Sequence, residues 1–226
     1  ETIRSAGAGG PAIGSVLGVF PQCGFSTVAS NLYAGRIITP GTLLAIFLST
    51  SDEMLPIMIS ENVGAEVILK ILAVKVAVAL LAGFAVDLLS GNRRRQMQIE
   101  HLCEQHHCHC ENGIWKSALH HTAEIFLYIM CISAVLNVII GWIGEDRLGS
   151  LFLNRPLVGE LTAALLGMIP NCASSVAITQ LYLNGVLSAG AMISGLLAGS
   201  GVGLLVLFRV NDDQKENIGI LALLYG

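Results

Sequence analysis

Ten residues, His101 to Cys110, read HLCEQHHCHC and hold seven side chains that bind transition metals: His101, Cys103, His106, His107, Cys108, His109 and Cys110. Imidazole and thiolate suit zinc, copper, nickel or cobalt. The spacing is not that of a zinc finger, and a low-complexity ligand tract able to wrap an ion describes it better. Harder ligands lie at Ser49-Thr50-Ser51-Asp52-Glu53, where hydroxyls and two adjacent carboxylates interrupt an apolar stretch. Ionisable groups at membrane depth are costly and mark functional sites. Their oxygens suit a hard divalent cation or a coupled H+ or Na+. A third pattern occurs twice, as Pro21-Gln22-Cys23 and Pro170-Asn171-Cys172. Proline suits the first turn of a helix, which puts these polar residues at helix N-termini, where positive potential and spare N–H donors favour an anionic group. With Cys23 and Cys172 the oxygen set becomes a mixed thiolate and oxygen set, fit for Mn2+, Zn2+ or a similar ion. The candidate substrate or ion site is thus Gln22, Cys23, Ser49, Thr50, Ser51, Asp52, Glu53, Asn171, Cys172 and Ser175. The plain alternatives are proline kinks, a carboxylate pair at a surface helix end and an incidental polar loop.

The repetition extends well beyond the proline motifs. Residues 16–55 align without a gap on residues 165–204 at an offset of 149, with eleven of forty positions identical, among them Gly18 and Gly167, Tyr33 and Tyr182, and Gly41 and Gly190. A duplicated apolar unit broken by proline and polar residues is the mark of a secondary transporter, in which interrupted helices of two halves meet at the substrate site. The copies differ where the carboxylates stand: Asp52 and Glu53 face Gly201 and Val202 in the alignment, so the site is asymmetric.

Composition points the same way. The chain is 54% hydrophobic and 12% charged, with a mean hydropathy of +0.70, against about 25% charged residues in a soluble domain. From Ile125 to Ile143 there is no charge, and from Val67 to Leu89 only Lys70, Lys75 and Asp87. Such stretches cross ~30 Å of hydrocarbon as helices. The net charge of −4 comes with no basic stripe, so nucleic acid is not an expected partner. Cys23, Cys131 and Cys172 fall in apolar segments and the other three cysteines in one loop, so the thiols read as reduced or metal-bound rather than paired. No HExxH motif, Ser/His pair at membrane depth or nucleotide-binding motif is present, which argues against an enzyme and against intrinsic ATP drive.

The expected fold is an all-α integral membrane protein of two repeats with re-entrant hairpins and broken helices. The first repeat, 1–91, holds a hairpin at 12–34, a broken helix at 40–59 and a helix at 67–90. A hydrophilic loop, 92–116, follows. The second repeat, 117–226, holds a helix at 117–143, a hairpin at 157–184, a broken helix at 188–208 and the start of a last helix at 217–226. Arg93-Arg94-Arg95 and Lys116 put the loop in the cytoplasm. If 12–34 is a hairpin, three crossings separate the repeats and they are inverted. Arg4, Arg36, Arg209 and Lys215 then all fall on the cytoplasmic side, leaving only Arg147 and Arg155 outside. A parallel arrangement places Arg4, Arg209 and Lys215 outside, so the inverted one is favoured. The chain opens on Glu1 and closes within an apolar segment, as expected of a piece of a longer protein.

FPQCGFSTVASNLYAG, GTLLAIFLSTSDEMLPIMIS, IPNCASSVAITQLYLNG and GVGLLVLFRVN resemble the bacterial family of ten-helix heavy-metal exporters, also labelled arsenic efflux proteins or manganese transporters. The likeness runs from Gly10 to about Asn217. It implies two five-segment halves joined by a His/Cys-rich loop, with this chain lacking the first helix and most of the last. It places the family's proline motifs on Pro21-Gln22-Cys23 and Pro170-Asn171-Cys172, and its acidic motif on Ser49 to Glu53. The expected function is export of a divalent or heavy-metal ion across the cell inner membrane by alternating access, with H+ or Na+ coupling and no cofactor. Lipid and metal ions are the expected partners, and a homodimer is compatible with this reading. The main rival is a carrier of an anion, an arsenical or a small organic solute, with Asp52 and Glu53 binding only the coupling ion. A membrane metal sensor working through loop 100–110 would leave the broken repeats without a use.

Overall fold

The computed structural model describes residues 9–20, 23–51, 53–89, 156–169, 172–211 and 213–225, with eight helical positions between Ala123 and Val138. Among these residues all regular structure is helical. The helices are α1 (Gly10–Leu17), α2 (Cys23–Ala34), α3 (Pro40–Ser49), α4 (Met54–Ser60), α5 (Ala65–Leu89), α6 (Pro156–Gly167), α7 (Cys172–Leu183), α8 (Ala189–Ala198), α9 (Gly203–Val210) and α10 (Gln214–Tyr225). Among the described residues, three helical stretches are long and apolar enough to cross a membrane: Pro40–Ser60, Ala65–Leu89 and Ala189–Val210, with mean hydropathies of 1.4, 2.4 and 2.1. By the length and composition of these helices the protein is a multi-pass membrane protein. The loop 92–116 and most of 117–143 lie outside the described residues.

The same local devices recur 149 residues apart. Thr39 caps α3, its hydroxyl accepting the Thr42 N–H at 3.1 Å, and Ser188 caps α8 by accepting the Ala191 N–H at 3.1 Å. A hydroxyl at that position satisfies one of the first-turn donors that a helix leaves open. The helix C-termini match as well. Arg36 turns left-handed (φ 59°) after α2, and Gly185 does so (φ 74°) after α7. The Arg36 and Ile37 N–H groups donate to Tyr33 O and Leu32 O, both at 2.9 Å. Those of Gly185 and Val186 donate to Tyr182 O at 3.0 Å and Leu181 O at 2.9 Å. This double bond is the Schellman ending, which favours glycine; arginine accepts the strained φ here.

Both long helices break midway, for different reasons in the two copies. In the first, the Ser49 hydroxyl donates to Ala45 O at 2.8 Å and that of Thr50 to Ile46 O at 2.7 Å. Side chains that bond their own helix in this way compete with the ladder and help to end it. In the second, Gly199 leaves the helix and Gly201 takes a positive φ of 55°, which glycine adopts without strain.

Helix boundaries shift slightly from the sequence expectation. The 12–34 segment is two helices, of 8 and 12 residues, beginning at Gly10 because Pro11 suits a first turn. The helix expected at 67–90 runs 65–89. The last helix starts at Gln214 rather than 217, because the Asp213 carboxylate accepts the Lys215 and Glu216 N–H groups at 3.2 and 3.3 Å.

Packing crosses between the copies. α1 lies on α3 and α6 on α8, while α2 packs on α9 and α7 on α4. Small residues allow close approach. A Cβ on Gly18 would meet Ile46 O at 2.6 Å, and 149 residues on, one on Gly167 would run into Gly195 O. Ser30 donates to Gly203 O at 2.7 Å, joining α2 to α9. Two apolar clusters result. One takes Leu43 and Phe47 of α3, Leu204 and Leu207 of α9, and Ala79 and Val86 of α5. The other takes Met54 and Met58 of α4, Met192 and Leu196 of α8, and Ile68 and Ile71 of α5. Each broken helix thus gives one half to each cluster, and both breaks fall on the seam. At the far end of the first cluster, Arg36 pairs with Glu216 at 2.9 Å, and Tyr33 donates to the same carboxylate at 3.1 Å. This ties the turn before α3 to the start of α10.

Candidate functional site: the seam between two broken helices

A small, partly enclosed cavity of about 20 Å³ lies where the breaks meet. Its walls are Thr50 and Ser51 of the first break, Gly199 and Gly201 of the second, Gly195 and Leu196 of α8, Gly167 at the end of α6, and Ser174, Ser175 and Ile178 of α7. That is room for one water-sized occupant. Four hydroxyls from two widely separated segments line it, and Ser51 and Ser174 are buried. Ser51 donates to Val19 O at 2.6 Å, Ser174 to Ile169 O at 3.1 Å and Ser175 to Cys172 O at 2.8 Å. A hydroxyl that donates to the backbone still carries oxygen lone pairs, so Ser51 and Ser175 can offer oxygen to a cation or, after rotation, a proton to an anion.

Of the residues expected from sequence, Thr50, Ser51 and Ser175 reach this cavity. Ser49 is buried but bonds its own helix, with Gly18 against its hydroxyl. Glu53 is partly buried and sits at the N-cap of α4 without a side-chain cap bond. Cys23 and Cys172 are the first residues of α2 and α7, and Cys172 is partly buried one turn from Ser175. Gln22, Asp52, Asn171, the Cys23 side chain and the loop ligands His101, Cys103, His106, His107, Cys108, His109 and Cys110 lie outside the described residues.

Three contributors were not singled out in the sequence. Ser174 sits beside Ser175, where alternation offered no cue. Gly195 looks like a packing residue. Lys75 is the third, and its signal was present: a cation in the middle of an apolar span. The four charges of α5 have three fates. Lys70 is exposed and pairs with Glu66 one turn away at 2.7 Å. Asp87 accepts from the Thr39 hydroxyl at 2.7 Å and the Gly41 N–H at 2.9 Å, which anchors the start of α3. Lys75 is fully buried, in a stripe with Ile68, Ile71, Ala79 and Gly83. Its ammonium donates to Thr50 O and, at 3.1 Å, to Leu196 O.

A larger space of about 260 Å³ between α1, α2 and α3 is walled mainly by apolar side chains such as Ile13, Leu17, Phe25 and Ile46. Ile13 and Val28 on its rim are exposed, so it belongs to the apolar outer surface.

No curated protein and no solved structure matches the chain. A family described as "Putative, 10TM heavy-metal exporter" matches residues 2–154, more than half of the chain. It is a transporter family rather than an enzyme family. The motifs that carry the sequence resemblance up to Glu53 and the first of the two breaks fall within that match, and the chain belongs to the 10TM heavy-metal exporter family.

Proposed function

We propose that the chain is the transport core of a secondary exporter of divalent or heavy-metal ions, Mn2+, Zn2+ or similar, with the seam cavity as its substrate site. Export proceeds by alternating access and is driven by H+ or Na+. The observation that carries this reading is the convergence of both helix breaks and the first turn of α7 on one small, partly enclosed space that four hydroxyls line. Irregular backbone at membrane depth persists only where protein or a watery cavity covers it, and broken helices facing each other across a repeat interface are the usual substrate site of such carriers. Thr50, Ser51, Ser174 and Ser175 supply oxygen ligands, and Asp52, Glu53, Cys23 and Cys172 complete the set as the halves move.

The two repeats are inverted. The recurrence of caps, turns and glycine contacts at an offset of 149 supports the repeat, and the Arg36–Glu216 pair supports the inversion. It joins the turn before one broken helix to the helix that follows the end of the other, as antiparallel copies require. Segments 12–34 and 157–184 are re-entrant hairpins; α1, α2, α6 and α7, at 8 to 12 residues each, are too short to span. The loop ligands from His101 to Cys110 collect metal on the cytoplasmic side of the inner membrane, without forming part of the pathway.

One feature favours the rival substrate class. The Lys75 ammonium at the breaks and the N-terminal turn of α7 at the cavity wall give the site positive potential, which suits an oxyanion or arsenical.

Alternating access has a direct readout at Ser174. In a background without other reactive cysteines, Ser174→Cys is expected to react with a membrane-impermeant thiol reagent from one side in the absence of metal. Saturating metal should move that reactivity to the other side or protect it. Labelling from a single side regardless of metal, or none from either side, would contradict the assignment of this cavity.

A further inference from the structure

Lys75 touches both broken helices from outside them. Thr50 O lies just past the C-terminus of α3, and Leu196 O is in the last turn of α8. Carbonyls at those positions have no partner within their own helix. Each helix C-terminus also carries a partial negative charge. Two such ends point at one buried spot on the seam, and the lysine brings an ammonium to it. Neither α3 nor α8 contributes an ionisable side chain of its own to balance that charge. Opposing carbonyl oxygens at interrupted helices are what a small cation needs for coordination.

We infer that Thr50 O and Leu196 O, with the adjoining carbonyls of the two helix ends, form a site for a small monovalent cation, and that the Lys75 ammonium is its built-in occupant. The tethered charge holds the two broken helices together across the seam. The site adjoins the substrate set, since Thr50 and Leu196 also wall the seam cavity, but the oxygens that hold the ammonium are backbone carbonyls and the charge comes from α5. It requires no assumption about which ion is exported.

Removing the tether should convert an internal cation into an external requirement. Lys75→Ala leaves room for an ion, and Lys75→Gln keeps N–H donors but no charge. Both proteins, purified in detergent, are expected to melt below wild type in N-methylglucamine chloride, whose cation is too bulky to enter. Sodium, potassium or methylammonium chloride at equal ionic strength should raise the melting temperature of Lys75→Ala by about 5 °C, as ligand binding to the folded state does. Wild type should not respond, its site being filled. Two results overturn the inference. One is Lys75→Gln as stable as wild type without small cations, since a neutral donor would then suffice. The other is Lys75→Ala with no selective recovery in any of the three salts, including a protein that stays unfolded in all of them. Because melting is read without transport, the outcome is separable from the identity of the exported ion.

Discussion

Gly199→Ala is expected to leave the protein folded and to lower metal export by about tenfold or more. Gly199 lies at the second helix break, with an ordinary φ of −74° that alanine adopts freely. A Cβ placed there would stand 3.5 Å from Gly167 O and Gly195 O, a normal contact distance. The backbone therefore accepts the methyl group. The cavity does not, because its volume is about 20 Å³ and a methyl group takes up about as much space as a water molecule. Misplacing a bound group by ~1 Å can cost two orders of magnitude in rate. Gly219→Ala is the control: it sits on α10 with open space around its Cβ, and should fold and transport as wild type. Flux into proteoliposomes and a melting curve measure both effects. Full export by Gly199→Ala would remove this cavity from the pathway.

The second large effect is expected at the acidic pair. In the proposed exchange, a divalent cation and protons compete for the same carboxylate oxygens, so one loads as the other leaves. That competition is the simplest basis for metal–proton exchange. Glu53 sits at the entry to α4, partly buried and without a cap bond of its own. Asp52→Asn and Glu53→Gln keep the shape and remove the titrating group. Each should lower export by about tenfold or more and flatten its dependence on pH, with the melting temperature close to wild type. The sign follows from the competition: in wild type, acid on the loading side should slow uptake of metal, and in the variants it should not. Unchanged rates and an unchanged pH profile in both variants would favour the oxyanion reading.

Much of this architecture could be read in the residues. Thr39 aligns with Ser188 and Arg36 with Gly185, and the structure gives each pair one role, because capping and left-handed turns are local chemistry. Ser49 to Ser51 and Gly199 to Gly203 marked the breaks, because polar and glycine residues stand out in an apolar run. The partners of those breaks were not legible. That α2 packs on α9, and that Ser174 rather than Ser49 faces the cavity, depend on contacts between residues more than a hundred positions apart. Lys75 could be seen as an anomaly in its span, but its two carbonyl partners belong to different copies and carry no side-chain signature. The histidine and cysteine tract shows the reverse. Its chemistry is plain from composition, while its geometry lies outside the described residues.

Flux through the purified protein tests the central claim most directly. Wild-type protein reconstituted into liposomes should carry Mn2+ or Zn2+ in response to an imposed proton or sodium gradient, with Gly199→Ala near the level of empty liposomes. Divalent-metal flux at the empty-liposome level in wild type, together with gradient-driven movement of arsenite or another oxyanion, would contradict the account.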